Sequence, residues 1–454
     1  MTRAADQRSA QADDLPCIEQ SERLYARALP LIPSVTQTLA KGPTQYVAGV
    51  APKYLRRGRG CRVWDVDDNT FLDLTMAVGP LVLGYCDPVV DAAIREQLAD
   101  GITFSLMHPL EVEVAELVRE LVPHVEMVRF SKTGADVTSA AVRLARAHTG
   151  RSRVLCCGYH GWHDWSIAAT ARHGGIPEVV RGLSQTFAYN DLAAVAAAID
   201  DDTACVILEP VAFELPREGF LQGLRELCDR RGVVLIFDEM WTGFRVAIGG
   251  AQAHYGVRAD LVTFSKAIAN GMPLAVLAGR GELLRRCDAD VFFYTTFGGE
   301  ALSLAAARAT LHELQARAVP EALARQGQRL QQGYNALAER LGLAYTACVG
   351  LPCRTLVAFD PSVGDPLLLK SFVQQELIRC GVLWSGCHNL CWAHGAAEID
   401  ELLAAYEVVL PRLRDVVAQG ERAVRQALRG EPLQPVFRRT GDFQPKPPPA
   451  GSAR

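Results

Sequence analysis

Residues 261–273 read Leu-Val-Thr-Phe-Ser-Lys-Ala-Ile-Ala-Asn-Gly-Met-Pro, a strand-like run that stops just short of a lysine. Leu261–Phe264 has the length and β-branched, aromatic character of a buried strand, and Asn270-Gly271 with Pro273 marks the turn beyond it. Only six lysines stand among the 47 basic residues of the chain, the remaining 41 being arginine. Arginine thus serves nearly every position where a simple surface cation suffices. Lys266 has other chemistry available. In a desolvated, electropositive pocket an ammonium loses its proton and becomes a nucleophilic amine, which a guanidinium does not.

The same arrangement recurs upstream. Val206-Ile207-Leu208 ends in Glu209, and Val233 to Phe237 ends in Asp238. Between them GFLQGLRELCDRRG (219–232) has the helical spacing of a crossover connection. Continuous apolar strands joined by crossovers predict an α/β fold: a mainly parallel central sheet with helices on both faces, and ligands bound beyond the carboxyl ends of its strands. Successive strands that each deliver an ionisable side chain to that rim define a site.

VRFSKTGADVTSAAVRLARAHTG (128–150) reads as strand, turn and helix, with Val137, Ala140, Ala141, Leu144 and Ala145 as the inner stripe. Thr133 and Asp136 have capping-box spacing, and the Gly134 turn lets backbone N–H groups converge at a helix start, as a phosphate requires. In VLCCGYHGWHDW (154–165), Tyr159 offers a flat ring at a strand exit, suited either to stacking on an aromatic ligand or to ordinary packing. His160, His163 and Asp164 lack the further ligand cluster that a zinc site needs, so no metal is expected. Thr295, Thr296 and Gly298-Gly299 precede another helix, as a second phosphate contact or a plain cap.

Elsewhere, GRGCRVWDVDDNTFLDL (58–74) alternates as a hairpin turning at Asp67-Asp68-Asn69, and helices are expected over 87–99 and 110–123, the second with Val112, Leu117, Val118 and Leu121 on one face. The spacing predicts a flexible segment over 1–30, an N-terminal segment with the hairpin over 31–85 that joins the small domain, a large ligand-binding domain over 86–325, a smaller α+β domain completed by 326–420, and a disordered proline-rich tail over 421–454. A net charge of −4 without basic runs argues against nucleic acid. No apolar run approaches the roughly 20 residues of a membrane helix. Thirteen scattered cysteines read as small buried hydrophobes, and the acidic, apolar-poor N-terminus resembles no targeting signal, so a cytoplasmic location is expected.

An amine-forming lysine, a buried aspartate, an aromatic platform and a phosphate cradle on one sheet edge together fit pyridoxal 5′-phosphate. Lys266 would hold the aldehyde as a Schiff base and shuttle the substrate proton, and Asp238 would pair with the pyridine nitrogen. Tyr159 would stack on the ring, and the amides around Thr133, Gly134 and Ala135 would hold the phosphate.

VWDVDDNTFLDL, EMVRFSKTGADVTSAAVRLARAHTGR, GYHGWHDW, ILEPV, LIFDEMWTGFR and GGAQAHYGVRADLVTFSKAIANGMP, in this order between about Gly42 and Leu413, resemble the class III pyridoxal-phosphate aminotransferases of fold type I, most closely glutamate-1-semialdehyde aminomutase and its aminotransferase relatives. The resemblance implies that Lys266 is the Schiff-base lysine, Asp238 the pyridinium partner, and Tyr159 the ring-stacking aromatic, with His160 beside it in the Tyr-His-Gly motif. It places Gly134 and Ala135 in the phosphate loop, Glu209 near the cofactor, and Thr296 at the phosphate of a neighbouring subunit, hence a homodimer with shared active sites.

The departures bear on substrate. Thr133-Gly134-Ala135-Asp136 stands where the family has Ser-Gly-Thr-Glu, losing one phosphate-facing hydroxyl but not the amides. Gln45 stands where the aminomutase carries an arginine for the substrate carboxylate, and an amide cannot form the bidentate ionic contact. His388 and Asn389 fall where its substrate-side residues lie, and Arg172 and Arg245 are further candidates for a carboxylate. The expected activity is ping-pong transfer of an amino group from an amino-acid donor to an aldehyde or ketone acceptor, a sugar-like or secondary-metabolite intermediate rather than glutamate-1-semialdehyde. A mutase or epimerase begins with the same chemistry and stays open. A non-catalytic relative would have lost Lys266 or Asp238.

Overall fold

In the computed structural model, which describes residues 15–211 and 214–434, the chain divides into two units: the residues through Asp87 together with those from Glu321 on, and the intervening Pro88–Pro320. The first unit opens with helix α1 (Glu19–Ala28), whose preceding residue, Ile18, provides no side-chain cap. The cap comes from far along the chain. Asp67 accepts the N–H groups of Gln20 and Ser21 at 2.6 and 2.9 Å, which satisfies two orphan donors and sets a carboxylate at the positive end of the helix. Ser21 Oγ in turn accepts from the Lys53 N–H at 2.7 Å. The expectation of a flexible 1–30 is therefore corrected from Glu19 onward; residues 1–14 lie outside the described residues. Antiparallel β1 (Leu55–Arg59), β2 (Arg62–Asp65) and β3 (Thr70–Asp73) follow, with β2 and β3 forming the expected hairpin. Asp65 fastens its turn by accepting from the N–H groups of Asp67 and Asn69 at 3.0 and 2.8 Å.

The second unit begins with α2 (Pro88–Asp100) and α3 (Pro109–Leu121). On α3 the buried stripe is Leu110, Val114, Val118 and Leu121, while Val112, expected on that face, is exposed. A two-residue step turns an α-helix by about 200°, so Val112 points away from a stripe that starts at Leu110. Next come β4 (Met127–Ser131), α4 (Gly134–Thr149), β5 (Arg153–Cys157), β6 (Ser184–Thr186), β7 (Thr203–Leu208), α5 (Phe220–Arg231), β8 (Val234–Asp238), β9 (Leu261–Phe264), β10 (Ala275–Gly279) and α6 (Ala301–Ala316). The strands form one seven-stranded sheet in the order β4-β10-β9-β8-β7-β5-β6, in which only β10 runs against its neighbours. Every residue of β7, β8, β9 and β10 is buried, as their unbroken apolar runs require of strands covered on both faces. The inner stripe of α4 packs with Val154, Cys205, Ile207, Ile236 and Leu277 of the sheet in one core.

The chain rejoins the first unit through α7 (Val319–Arg340), β11 (Thr346–Leu351), β12 (Arg354–Phe359), α8 (Pro366–Arg379), β13 (Val382–Leu383), β14 (Cys387–Asn389), α9 (Ala396–Val417) and α10 (Glu421–Ala427). β11, β12 and β14 make an antiparallel sheet, and β13 extends the N-terminal strands into the order β1-β2-β3-β13 by pairing parallel to β3. The tail expected to be disordered from 421 is ordered as far as Gln434. There α10 buries Val424, the Ala427 carbonyl accepts from Gln375 Nε2 at 3.1 Å, and Leu433, also buried, gives its N–H to Ser371 Oγ at 2.9 Å. With so few apolar residues the tail has no amphipathic signature of its own; α8 supplies its partners. The proline-rich remainder from 435 lies outside the described residues. No helix among the described residues is long and apolar enough to cross a membrane.

Candidate active site

β8 ends in Asp238, and the parallel register of β9 sets Thr263 beside it. Asp238 is only 1% exposed, so its carboxylate needs partners within the protein. Its Oδ2 lies 2.7 Å from His160 Nδ1, and its Oδ1 accepts from the Met240 N–H at 3.1 Å and the Thr263 hydroxyl at 3.4 Å. His160, also buried, turns Nε2 to the Cys157 carbonyl at 3.1 Å. Both ring nitrogens thus face acceptors, which fixes the orientation of the ring against Asp238. The Thr138 hydroxyl donates to the His160 carbonyl at 2.6 Å, tying the loop after β5 to α4. His160, expected among the cofactor contacts, meets Asp238.

Glu209 follows β7 and accepts from the Tyr159 N–H at 3.0 Å. Gly158 makes this approach possible: its φ is +107°, and a Cβ there would stand 2.8 Å from Glu209 Oε1. Tyr159 leaves its ring exposed at the end of β5. Burial raises the Glu209 carboxyl above its ordinary range and the Asp238 charge adds to this, while the Tyr159 N–H, His160 and Lys266 work in the opposite direction. The charges on Glu209, Asp238, His160 and Lys266 therefore act within one field. Lys266 is half-buried just past β9, in the left-handed region at φ +44°. A non-glycine residue rarely adopts this conformation, and such residues concentrate at functional sites. Ser265 Oγ, donating to the Leu274 carbonyl at 2.6 Å, braces the turn.

At the start of α4, Thr133 and Asp136 form the expected capping box: the Thr133 N–H goes to Asp136 Oδ2 at 2.9 Å and the Asp136 N–H to Thr133 Oγ1 at 3.3 Å. Ser131 Oγ also donates to Asp136 Oδ2, at 2.8 Å. The Gly134 and Ala135 N–H groups, which open the helix, are left without intrahelical acceptors, and they point out of its positive end. A Cβ on Gly134 would lie 3.0 Å from Met240 Sδ. Met240 accordingly touches this anion cradle with its sulfur and Asp238 with its N–H. Met240, Thr263 and Thr138 escaped the sequence reading; strand register and the reversal of the chain after Asp238 bring them in. Thr296 is exposed in the turn before α6 and makes no side-chain hydrogen bond among the described residues.

The substrate-side candidates fare differently. His388, expected to face substrate, is fully buried in β14, its Nδ1 2.7 Å from Thr355 Oγ1 and its Nε2 2.7 Å from the Tyr406 hydroxyl. Burial pushes its pKa down to about 3. Asn389, buried beside it, donates to the Thr75 carbonyl at 3.0 Å. Both are core groups of the first unit. Arg245 is fully buried and Arg172 exposed. Gln45 Nε2 donates to the Gln434 carbonyl at 3.3 Å. Among the described residues no group of three or more His, Cys, Asp or Glu side chains forms a metal-binding cluster.

Two open amides at the start of a 16-residue helix, a buried carboxylate met by an imidazole, an exposed tyrosine ring and an amine past a strand end meet the needs of pyridoxal 5′-phosphate: an anion cradle, a partner for its ring nitrogen, a stacking surface and a nucleophile. Comparison with known proteins points the same way. The Aminotransferase class-III family matches residues 46–349. The chain is 32% identical over 414 residues to a 3-aminobutyryl-CoA aminotransferase of Cloacimonas acidaminovorans, covering 88% of this chain and 99% of that protein. It is 36% identical over 430 residues to a glutamate-1-semialdehyde 2,1-aminomutase of Exiguobacterium sibiricum, covering 87% and 97%. Among solved structures, the pyridoxal-phosphate-bound FumI protein of Sphingopyxis sp. MTA144 superposes with a TM-score of 0.82 at 30% identity, over 88% of this chain and 98% of that one. By fold, by sequence and by the groups gathered at its sheet edge, the chain belongs to the class III aminotransferases and uses pyridoxal 5′-phosphate.

Proposed function

We propose that Lys266 is the amine that holds the cofactor and carries the substrate proton, that Asp238, oriented by His160, pairs with the ring nitrogen, and that Tyr159 and the amides of Gly134 and Ala135 hold the ring and the phosphate. The observation that carries this reading is geometric: beyond adjacent strand ends Asp238 meets His160 Nδ1 at 2.7 Å, Glu209 accepts from the Tyr159 N–H at 3.0 Å, and Lys266 follows the next strand. Bound pyridoxal phosphate supplies an electrophilic aldehyde and a ring that takes up electron density. Lys266 Nζ would take the proton from the substrate carbon that bears the amine and deliver it, within the same half of the cycle, to the carbon of the bound cofactor that carries the aldehyde, the reverse transfer following with the acceptor in the second half. Asp238, fixed by three donors, holds negative charge where a protonated ring nitrogen needs it. Thr133 and Asp136 spend their polar atoms on the helix cap and so keep the two open amides aimed at an anion.

The cycle is ping-pong: an amino acid gives up its amine and leaves before a carbonyl acceptor binds. The acceptor class is a neutral or hydroxylated aldehyde or ketone, sugar-like or from secondary metabolism. Gln45 supports this, because a neutral amide already bonded to Gln434 offers no ionic clamp for a carboxylate. The protein acts as a cytoplasmic homodimer in which Thr296 serves the neighbouring site. Supporting this are the exposed apolar side chains Phe292 and Phe297 flanking Thr296 and thirteen cysteines, none joined in a disulfide among the described residues, which suit a reducing compartment. The test is the visible spectrum of the purified protein as amino acids are added one at a time. One amino acid is expected to bleach the yellow band of the bound cofactor, and a subsequent carbonyl acceptor to restore it. A band that no donor bleaches would favour transfer within one molecule, the reaction named for the aminomutase relative; no yellow band even with added cofactor would overturn the site.

A further inference from the structure

With only six lysines in the chain, the surroundings of each can be compared. Lys53 pairs with Glu22 and Lys132 with Glu300. The charge of the exposed Lys41 acts on Asp73, and that of Lys266 on Glu209. Lys446 lies outside the described residues. Lys370, on α8, is the exception. Among the described residues it makes no hydrogen bond and no ion pair, and Cys387 is the one ionisable group that acts on its charge. Its own helix supplies no acid: positions 366, 367, 373 and 374, which share its face, hold Pro, Leu, Val and Gln. Gln374, the polar member of the set, is engaged elsewhere. Its Nε2 donates to the Gln45 and Trp384 carbonyls at 3.2 and 2.8 Å, and its Oε1 accepts from the Val47 N–H at 2.9 Å.

A half-buried lysine ordinarily lays its stem over apolar surface and leaves the ammonium in water. Lys370, half-buried, instead folds its end back onto the chain that follows β13. Gly386 is buried there at φ +108°, and a Cβ on it would overlap both Cε and Nζ of Lys370. The amine thus fills space that only a glycine leaves open. Withdrawal from water with no carboxylate to offset it favours the neutral form, and burial accordingly lowers the pKa of Lys370, with Cys387 working in the opposite direction. A neutral amine within reach of solvent is a nucleophile at ordinary pH. The surroundings also select the adduct. A carbamate would be an unpaired anion here and a protonated imine an unpaired cation, both costly where no counter-charge stands. An amide carries no charge and needs none.

We propose that Lys370 is an acylation site that takes a small acyl group from an acyl thioester. Nζ adds to the thioester carbonyl, a C–N bond forms as the C–S bond breaks, and the proton lost from nitrogen leaves with the departing thiolate as a thiol. The inference concerns the first unit alone and stands whether or not the assignments at Lys266 hold. The test is incubation of the full-length holoenzyme with S-acetyl-N-acetylcysteamine, the acetylation of each lysine being followed in time by peptide mass spectrometry. At pH 7.5 Lys370 is expected to react at least about tenfold faster than the exposed Lys41, because an ordinary lysine is only about 0.1% neutral at that pH. The excess is expected to shrink as the pH is raised to 10, where an ordinary lysine also loses much of its charge. Cys387→Asp, which sets a carboxylate next to the glycine that the amine covers, is expected to slow Lys370 about tenfold at pH 7.5, and the uncharged Cys387→Ser to keep it within about threefold of the parent. The pH series on the parent protein needs no variant to fold. A Lys370 rate at or below that of Lys41 at pH 7.5, an excess that does not change with pH, or equal rates in Cys387→Asp and the parent would each overturn the proposal.

Discussion

Asp238 gathers the His160 ring, the Met240 N–H and the Thr263 hydroxyl onto one buried carboxylate, so its replacement separates charge from shape. Asp238→Asn keeps the volume but removes the negative charge and turns an amide donor toward donors. Turnover is expected to fall about 10²–10³-fold, read from steady-state kinetics at saturating cofactor; an unchanged kcat would take Asp238 out of the chemistry. Lys266 calls for a different readout, because an amine that bonds the cofactor can be trapped. Borohydride reduction of the holoenzyme is expected to leave the cofactor mass on the peptide containing Lys266, and Lys266→Ala to lower turnover by about 10³-fold or more. Cofactor mass on a peptide around Lys132 or Lys370 instead would move the site.

At the scale of elements, the loop after β5 and the start of α4 fit each other too closely to tolerate a methyl group. Gly161 has φ +103°, and a Cβ there would stand 2.6 Å from Ala135 Cβ and 2.7 Å from its Cα. Gly161→Ala must therefore move backbone that carries His160 and the anion cradle together. It is expected to destabilise by about 1–3 kcal/mol and to loosen cofactor binding, measured by thermal unfolding and by cofactor titration; a variant that matches the parent in both would break the link between loop and cradle. β14 carries a pH-dependent term. His388 is neutral in the fold, its pKa depressed to about 3 by burial, whereas the unfolded chain takes up the proton near pH 6.5. Its contribution is present above pH 6.5 and is lost as pH falls toward 3, at about 1.4 kcal/mol per pH unit. From pH 7.5 to 5 the loss is about 2 kcal/mol. His388→Gln is expected to show a smaller drop in thermal midpoint than the parent over that range, and parallel drops would refute the assignment. The elements that eluded the sequence share one cause. β7, β8 and β9 announce themselves through unbroken apolar runs, and the cap of α4 lies within four adjacent residues. By contrast α1 is capped by Asp67 from 46 residues away, and Leu433 is held by Ser371 from 62. Family position put His388 beside the substrate; pairing of β12 with β14 sends its side chain into the core.

For the whole molecule, the decisive quantity is what covers the apolar side chains left outside. The sequence neighbours Leu106 and Met107 are 79 and 81% exposed and Phe292 is 72% exposed; large apolar groups left this open are candidates for burial against a partner. If a second copy covers them and Thr296 reaches across, sedimentation is expected to give a dimer, and Leu106→Asp with Met107→Asp to give monomers that lose cofactor on dilution. Thr296→Ala alone is expected to weaken cofactor about tenfold through the lost hydrogen bond to phosphate. A mixed dimer then decides whether the contact is made in trans. Pair a Lys266→Ala subunit with a Thr296→Ala subunit: if each threonine serves the opposite site, one site receives both an intact lysine and an intact threonine, while the other has neither. The hybrid should then bind cofactor at half its sites with parental affinity and turn over at limiting cofactor. If each threonine serves its own site, no site in the hybrid is whole, the only lysine-bearing site keeps the weakened affinity, and mixing restores nothing.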